Sequence, residues 1–267
     1  LVWIVPTKLE VLQTYPRYRP EQIRIMGIPQ YDPYATAPGL SYAEWCRKYG
    51  LDPAKRTILF STMPQSRHEQ QHIILEGLLK TIVEGKRLPG DLQVLIKCHP
   101  FDNYQGYEAL VVRYPASIHR NSLDPSQSQE DWIPAPTEME ASRDALCYCT
   151  LNINIFSTVT IEAAYFDKPV VHIAFDPQPV QNRIPCHEYY NWDHFKHIVD
   201  MGATILVHSF DELYDAVNRS IASPSQLAAP RRRLVEKYIG RPVGTASNAV
   251  VHELVEICQS LEGDLLR

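Results

Sequence analysis

The chain has 267 residues and a formal net charge of −5; 45% of its residues are hydrophobic and 21% are charged. This composition is typical of a globular protein with a substantial buried core. The negative net charge argues against a general attraction to nucleic acid or to an anionic membrane surface.

The first forty residues have the features of a segment that precedes a domain. The chain opens at Leu1 on an apolar run, without the basic start of a secretory signal, and we interpret this run as a strand of a longer protein. Residues 24–29 predict a short strand that ends in a Gly-x-Pro turn, and residues 31–38 predict a loop. We therefore predict a hinge, or the end of a preceding domain, over residues 1–40 and one domain over residues 41–267.

From residue 41 onward, apolar runs rich in β-branched residues alternate with segments of helical periodicity. The predicted strands are residues 57–62, 92–98, 117–119, 145–153, 169–175 and 203–207. The predicted helices are residues 67–84, 107–114, 139–143, 158–166, 210–222, 225–238 and 245–261, and residues 123–140 predict a loop. Strands that are apolar throughout predict burial on both faces. The predicted fold class is therefore α/β, with a doubly wound, Rossmann-like parallel sheet.

Six cysteines occur without CxxC spacing, which argues against a zinc ribbon or a disulfide framework. Cys98 and Cys186 each precede a histidine, but adjacent residues of a strand point to opposite sides, so we do not expect a metal site there. No stretch approaches the ~20 apolar residues of a membrane span. We expect a cytoplasmic protein, either soluble or peripheral at the inner face of the membrane.

Ligands of open α/β sheets bind beyond the carboxyl ends of the strands, so the residues that follow each strand are the candidates for a site. Ser61 and Thr62 supply hydroxyl groups ahead of a predicted helix start, which suits an anionic group. Alternatively, Ser66 caps that helix in a capping box with Glu69, and both readings can hold together. His99 ends the next strand, before a proline, where it can hydrogen-bond a phosphate or sugar oxygen.

The loop after the fourth predicted strand is the most informative. Ser157 is predicted to cap the helix that follows, so that Thr158 and the first N–H groups, at the positive end of the helix dipole, can meet a diphosphate. Glu162 lies about one turn further, where its carboxylate can accept hydrogen bonds from ribose hydroxyls. The alternative is a plain serine-capped helix. Residues 176–195, which include His194, are dense in aromatic and polar groups. They predict either a sugar site or a loop packed on the sheet.

Other chemistries lack their motifs. The sequence has neither the GxGxxG of a dinucleotide site nor the GxxxxGK[ST] phosphate loop. It also has no GxSxG around a serine nucleophile. Dehydrogenase, P-loop and α/β-hydrolase readings are therefore not supported.

Taken in order, these segments resemble a known series. Gly27 to Asp32 looks like the G-x-P-x-x-D that opens the C-terminal domain of several GT-B proteins, and Cys98-His99-Pro100 looks like their strand ending in His-Pro. The stretch from Asp144 through Ser157-Thr158 and Glu162-Ala163 to residues 168–171 looks like their aD…ST…EA…kPvv segment. The pattern, over residues 27 to 176, is similar to CDP-glycerol glycerophosphotransferases, UDP-N-acetylglucosamine 2-epimerases and capsule-type glycosyltransferases.

The resemblance implies the C-terminal half of a GT-B fold, which binds the nucleotide part of an activated donor. The expected function is transfer of a sugar or polyol phosphate from a UDP-, CDP- or CMP-linked donor to a glycan or lipid acceptor, in the synthesis of a surface polysaccharide or glycoconjugate. His99, Ser157, Thr158 and Glu162 carry over as donor-binding positions. The full predicted set of donor contacts adds Gly27, Ser61, Thr62 and His194.

In the implied mechanism, His99 acts catalytically by stabilising charge on the leaving group, and neither a metal nor a cofactor is required. The acceptor site would lie on an N-terminal domain that this sequence lacks. Two alternatives are a UDP-N-acetylglucosamine 2-epimerase-like enzyme and a non-catalytic nucleotide-binding domain. The Ser-Thr loop differs from the Gly-Gly diphosphate loop of the epimerases, which favours a transferase.

Overall fold

The computed structural model describes residues 2–4, 6–13, 17–64, 66–102, 104–120, 135–181 and 183–265. The chain divides into two compact units. One consists of Leu1–Ala37 together with Val235–Arg267, and the other is Pro38–Leu234.

Strands and helices alternate along most of the chain. The strands are β1 (Val2–Ile4), β2 (Ile23–Ile25), β3 (Arg56–Ser61), β4 (Leu92–Lys97), β5 (Ala116–His119), β6 (Leu151–Asn154), β7 (Val170–Ile173) and β8 (Ile205–Val207). The helices are α1 (Pro6–Gln13), α2 (Tyr42–Lys48), α3 (Gln71–Glu84), α4 (Gln105–Arg113), α5 (Pro136–Tyr148), α6 (Val159–Tyr165), α7 (Asp193–Asp200), α8 (Phe210–Ala222), α9 (Ala228–Ile239) and α10 (Ala246–Leu265). Short 3-10 helices occur at Pro20–Gln22, Pro29–Ala35 and Cys186–Asn191.

The larger unit is built on a six-stranded sheet in the order β5-β4-β3-β6-β7-β8, and every described pairing is parallel. The register aligns the strand ends: Ser61 pairs with Lys97 and Asn154, Lys97 pairs with His119, and Asn154 pairs with His172. These five residues form one row across the sheet. The loops that follow them therefore start at the same edge, which is the edge where ligands bind in such sheets.

Helices cover both faces of this sheet. Ile58 and Phe60 of β3 pack in a cluster with side chains of α3 and α8, whereas Leu59, between them, packs in a second cluster with α2, α5 and α6. Side chains of a strand alternate between faces, and here both faces are buried. The predicted doubly wound α/β fold is thus confirmed.

Two predicted boundaries were wrong. The fourth strand was predicted over 145–153, but residues 145–148 belong to α5 and the strand is Leu151–Asn154. Met139, Ser142, Ala145 and Leu146 are buried at helical spacing, and a short apolar run does not by itself distinguish a helix from a strand. The predicted loop 123–140 lies largely outside the described residues, and its last five residues are helical.

The predicted capping box of Ser66 and Glu69 is also absent from the described part of this segment. Helix α3 begins at Gln71, with Gln70 at its N-cap and no capping bond from that side chain. The N–H groups of Arg67 and His68 instead bond to the carbonyl of Pro64, in a turn. A capping box forms elsewhere, where Ser41 and Glu44 start α2, a helix that sequence analysis missed.

The smaller unit contains the parallel pair β1 and β2, with Val2 opposite Ile23, and helix α10. Asp32 caps α10: its carboxylate accepts hydrogen bonds from the N–H groups of Gly244 (3.0 Å), Ala246 (3.1 Å) and Ser247 (2.7 Å). Burial acts to raise the pKa of Asp32, but these hydrogen bonds outweigh it and the pKa is lowered. In the described ranges, no helix has both the length and the apolar character needed to cross a bilayer.

Candidate functional site

A cleft of about 320 Å³ opens beyond the carboxyl ends of β3, β4 and β6. Its polar lining carries hydroxyl, guanidinium and imidazole groups, from Thr62, Arg67, His99, Ser157 and Thr158. Its apolar lining is mainly aromatic, from Phe156, Tyr189, Trp192 and Phe195, with Met63 and Pro64. A cavity of this size, apolar with a few convergent polar groups, is typical of a small-molecule site.

Four of the eight residues that the sequence predicted as donor contacts line this cleft. Thr62 follows β3, His99 follows β4, and Ser157 and Thr158 follow β6. Parallel register brings the three loops together at one edge. Residues that are almost a hundred positions apart in sequence thus face one cavity.

Three other predicted positions in the larger unit are not among the described lining residues of this cleft. Ser61 is the last residue of β3 and 5% exposed, and its hydroxyl accepts a hydrogen bond from Asn152 Nδ2 at 2.9 Å. Glu162 is half-buried in the first turn of α6 and is not among the described lining residues. His194 lies in α7, but its side chain is outside the described residues.

Gly27 belongs to the smaller unit, where the backbone conformation explains the glycine. Its φ is +76°, in the left-handed region, and a Cβ at this position would lie 3.2 Å from Cβ of Arg241 and 3.4 Å from Cβ of Ala246. Any side chain would therefore add both strain and crowding. With Asp32, which caps α10, Gly27 gives the G-x-P-x-x-D motif a structural role.

His99 faces the cleft as a neutral imidazole. Burial, with a smaller contribution from Lys97, lowers the pKa of His99 to about 4. Its Nδ1 accepts a hydrogen bond from the N–H of Phe101 at 3.2 Å, which leaves the proton on Nε2. At neutral pH His99 can therefore offer one uncharged N–H donor to a phosphate or sugar oxygen.

Thr62 holds the loop that carries His99. Its hydroxyl accepts a hydrogen bond from the N–H of His99 at 2.8 Å and donates to Asp102 Oδ2 at 2.9 Å. The hydroxyl of Tyr107 donates to the same carboxylate oxygen at 3.1 Å. The side chains of Thr62, Asp102 and Tyr107 are buried, so the proton of the Thr62 hydroxyl is committed to this network. Thr62 lines the cleft, but its hydroxyl proton is already donated to Asp102 and is not available to a ligand.

The turn from Phe156 to Thr158 differs in one respect from the expected open helix start. Ser157 Oγ accepts a hydrogen bond from the N–H of Val159 at 3.3 Å, as a capping serine does. However, the N–H of Ser157 donates to Asn154 Oδ1 at 3.2 Å, and that of Phe156 donates to the hydroxyl of Tyr190 at 3.0 Å. Two amides of the turn are thus already bonded within the protein.

The aromatic lining comes mostly from residues 176–195, the segment that the sequence analysis singled out as dense in aromatic and polar groups. The Trp192 ring is nearly perpendicular to Phe156 (88°) and to Tyr189 (83°), with centroids 5.3 Å apart in each pair, and it is 37% exposed. The Phe156 and Phe195 rings lie 4.2 Å apart, and Phe195 is buried. Part of the segment therefore packs on the sheet, and part forms a partly exposed aromatic wall; a sugar site at this wall stays a prediction.

Arg67 is a cleft residue that the sequence analysis did not select, because the predicted helix began at that position. It is exposed, and its carbonyl accepts a hydrogen bond from the Tyr189 hydroxyl at 3.2 Å. A guanidinium is planar and carries five N–H donors, which suits bidentate binding of a phosphate. The sequence did offer one signal for Arg67: a cationic residue in the segment that follows a buried strand.

The buried His68 and the half-buried Asp176 and Arg183 fix the segment that carries Arg67. His68 Nε2 lies 3.2 Å from Asp176 Oδ1, Arg183 Nη2 donates to the same oxygen at 2.6 Å, and the N–H of Cys186 donates to Oδ2 at 2.8 Å. Burial lowers the pKa of His68 more than Asp176 raises it. The inward position of His68 accounts for the turn that replaces the predicted start of α3. Within the described ranges, no group of three or more His, Cys, Asp or Glu side chains could hold a metal ion.

Comparison with known proteins gives structural matches. No protein-family profile and no curated protein matches the sequence. The wall teichoic acid polymerase TagF aligns with a TM-score of 0.62 at 13% identity, over 97% of this chain and 58% of its own. The chain has the fold of such enzymes. S. aureus MnaA in complex with UDP aligns at 0.56 and 15% identity (96% and 59%), and a UDP-N-acetylglucosamine 2-epimerase at 0.55 and 15% identity (94% and 56%).

The predicted resemblance to GT-B enzymes is confirmed at the level of the fold. The chain spans a little under three fifths of the length of each of these three structures.

Proposed function

We propose that this chain is the donor-binding domain of a glycosyltransferase, and that the cleft holds the diphosphate of a nucleotide-activated sugar or polyol. The observation that carries the proposal is the convergence of His99, Ser157 and Thr158 with Arg67 in one cleft at the carboxyl edge of the sheet. A diphosphate needs several donors and at least one positive charge within a small volume, and this cleft offers both.

The polar groups divide the work of binding. Arg67 supplies the charge, while the Ser157 and Thr158 hydroxyls and Nε2–H of His99 supply neutral donors. In the transfer step an acceptor oxygen forms a bond to the transferred group while that group's bond to a phosphate oxygen of the nucleotide breaks, and negative charge develops on that phosphate oxygen. Donors already aimed at this position stabilise the charge without reorganising, which is the role proposed for His99. The scheme uses neither a metal nor a cofactor.

The remaining donor contacts are assigned from the hydrogen-bonding and stacking ability of the side chains. Glu162, one helical turn beyond Ser157, binds the ribose hydroxyls, and the partly exposed Trp192 ring covers the transferred group or the base. Among proteins of the same fold, MnaA was solved with UDP and a TagF variant was soaked with CDPG. These ligands support a uridine or cytidine diphosphate as the nucleotide.

The acceptor in this proposal is a glycan or lipid, bound by a further domain, and the product is a surface polysaccharide or glycoconjugate. All six cysteines are free thiols, which supports a reducing, cytoplasmic location, soluble or at the inner face of the membrane. An epimerase would differ in needing no acceptor. Incubation with UDP-N-acetylglucosamine alone, followed by product analysis, separates it from a transferase.

Isothermal titration of the chain with UDP, CDP, GDP and CMP tests the proposal. We expect one nucleoside diphosphate to bind in preference to the others, and Arg67→Ala to weaken that binding at least tenfold. Arg47→Ala, which removes an exposed arginine of α2, should leave it unchanged. Glu162→Ala should cost roughly 1.5–3 kcal/mol of binding free energy through the lost charged hydrogen bond. Equal affinities of wild type and Arg67→Ala would refute the proposed diphosphate site.

A further inference from the structure

The turn from Phe156 to Thr158 has an unusual backbone. Phe156 has a φ of +45°, in the left-handed region that side chains with a Cβ seldom adopt. A residue keeps such a conformation only when its surroundings impose it, and such residues cluster at binding sites. Here the residue lines the proposed donor cleft, next to both hydroxyls of the proposed diphosphate site.

Two side chains impose this conformation, and both reach the turn from outside it. The hydroxyl of Tyr190, from the 3-10 helix Cys186–Asn191, accepts the N–H of Phe156 at 3.0 Å. The Oδ1 of Asn154, at the end of β6, accepts the N–H of Ser157 at 3.2 Å. The neighbouring amides of Phe156 and Ser157 are thus each held by a hydrogen bond to a different side chain.

Both of these side chains are held rigidly. Tyr190 is 5% exposed, its hydroxyl donates to the carbonyl of Ile173 at 2.9 Å, and its ring lies 5.3 Å from that of His172. Burial keeps the pKa of Tyr190 well above its ordinary value, so the hydroxyl retains its proton.

Asn154 is fully buried, and its Nδ2 donates to Asn152 Oδ1 at 2.7 Å and to Thr160 Oγ1 at 3.2 Å. The orientation of its side-chain amide is therefore fixed by two hydrogen bonds that Nδ2 donates and one that Oδ1 accepts. The acceptor oxygen can point only at the turn.

We propose that Tyr190 and Asn154 are positioning residues for the donor diphosphate. They hold the Phe156–Thr158 turn so that it presents the hydroxyls of Ser157 and Thr158, rather than a row of free amides, to the ligand. The inference rests on the proposed function. It adds that the diphosphate is recognised mainly by side-chain donors, because the amides of Phe156 and Ser157 are already bonded.

The chain offers a matched pair of variants to test this. Tyr190→Phe removes a hydroxyl that donates to a backbone carbonyl and also accepts the Phe156 amide. Tyr214→Phe removes a hydroxyl that donates to the carbonyl of Gly77 at 3.3 Å, and it lies outside the cleft. Both changes should lower thermal stability, but only the first frees the turn.

We expect Tyr190→Phe to weaken binding of the preferred nucleoside diphosphate about tenfold. This factor corresponds to the free-energy cost of leaving one amide of the turn unpaired. Tyr214→Phe should change the affinity less than about twofold. A double-mutant cycle gives the specific signature. Ser157→Ala should cost clearly less in the Tyr190→Phe background than in the wild type, because the Ser157 hydroxyl is no longer aligned.

Amide exchange measured by NMR tests the same inference without ligand. In the free wild-type protein the Phe156 and Ser157 amides should exchange slowly, and Tyr190→Phe should speed exchange at Phe156. Rapid exchange of both amides in the wild type, or equal nucleotide affinity of Tyr190→Phe and wild type, would overturn the positioning role alone. Failure of the wild type to bind any nucleoside diphosphate would instead overturn the proposed function, and this inference with it.

Discussion

Lowering the pH from 7 to 5 should destabilise the larger unit through His172. This histidine is fully buried in β7, its Nε2 lies 2.8 Å from Thr160 Oγ1, and its Nδ1 has no hydrogen-bond partner among the described residues. Burial lowers the pKa of His172 to about 3. The protonated ring would need an acceptor for a second N–H, and the surroundings offer the rings of Tyr190 and Phe195.

The sign follows from proton linkage. In the unfolded chain His172 has an ordinary pKa near 6.5, so below that pH the unfolded state binds a proton that the folded state excludes. Stability is therefore fully present above pH 6.5 and is lost as the pH falls toward the folded pKa. At about 1.36 kcal/mol per pH unit, integration from pH 7 to pH 5 gives a loss of about 2 kcal/mol from this one residue.

Urea unfolding at pH 7, 6 and 5, followed by tryptophan fluorescence, measures this loss when wild type is compared with His172→Gln. Glutamine does not titrate and can still bond the Thr160 hydroxyl. The free energy of unfolding of wild type minus that of the variant should shrink by about 2 kcal/mol from pH 7 to pH 5. Parallel pH curves for the two proteins would show that His172 protonates as easily in the folded state as in the unfolded chain, and would refute the reasoning.

Three further predictions concern the cleft. Ser157→Ala should weaken nucleotide binding severalfold in a calorimetric titration, whereas Ser209→Ala, which removes the hydroxyl that caps α8, should lower only the melting temperature; equal binding losses would count against a ligand role for Ser157. Phe156→Gly should be more stable to urea than Phe156→Ala by about 1 kcal/mol, because glycine adopts the left-handed backbone without strain, and the reverse order would contradict the strain. Thr62→Val should lower the free energy of unfolding by about 1–3 kcal/mol, because the buried Asp102 loses the hydrogen bond that the Thr62 hydroxyl donates. Thr62→Ser keeps the hydroxyl and should stay near wild type. Equal losses in the two variants would mean that the hydroxyl does not account for the effect.

The alternation of strands and helices could be predicted because apolar runs buried on both faces are visible in the sequence. Positions at strand ends followed from the same pattern, so Thr62, His99, Ser157 and Thr158 were found by asking what comes just after each strand. Arg67 was missed because periodicity extended the helix over it, whereas the burial of His68 turns that segment inward.

Long-range partners were beyond reach of the sequence pattern. The bond from Ser247 to Asp32 joins residues 215 positions apart, and the bond from the Phe156 amide to Tyr190 joins residues 34 apart. Both depend on tertiary packing, to which no local spacing corresponds. The role of Asn154, the last residue of β6, was hidden for a related reason: its partners are fixed only when the sheet and the turn after it form.

Chemical-shift mapping of the backbone amides, as the preferred nucleoside diphosphate is added, tests the central claim most directly. The account predicts that the largest changes lie at Thr158 and His99, with changes at Arg67 and Trp192, and little effect on α8 or α9. Binding whose shifts cluster elsewhere, or no shifts with any nucleoside diphosphate, would contradict the claim that this cleft binds the donor.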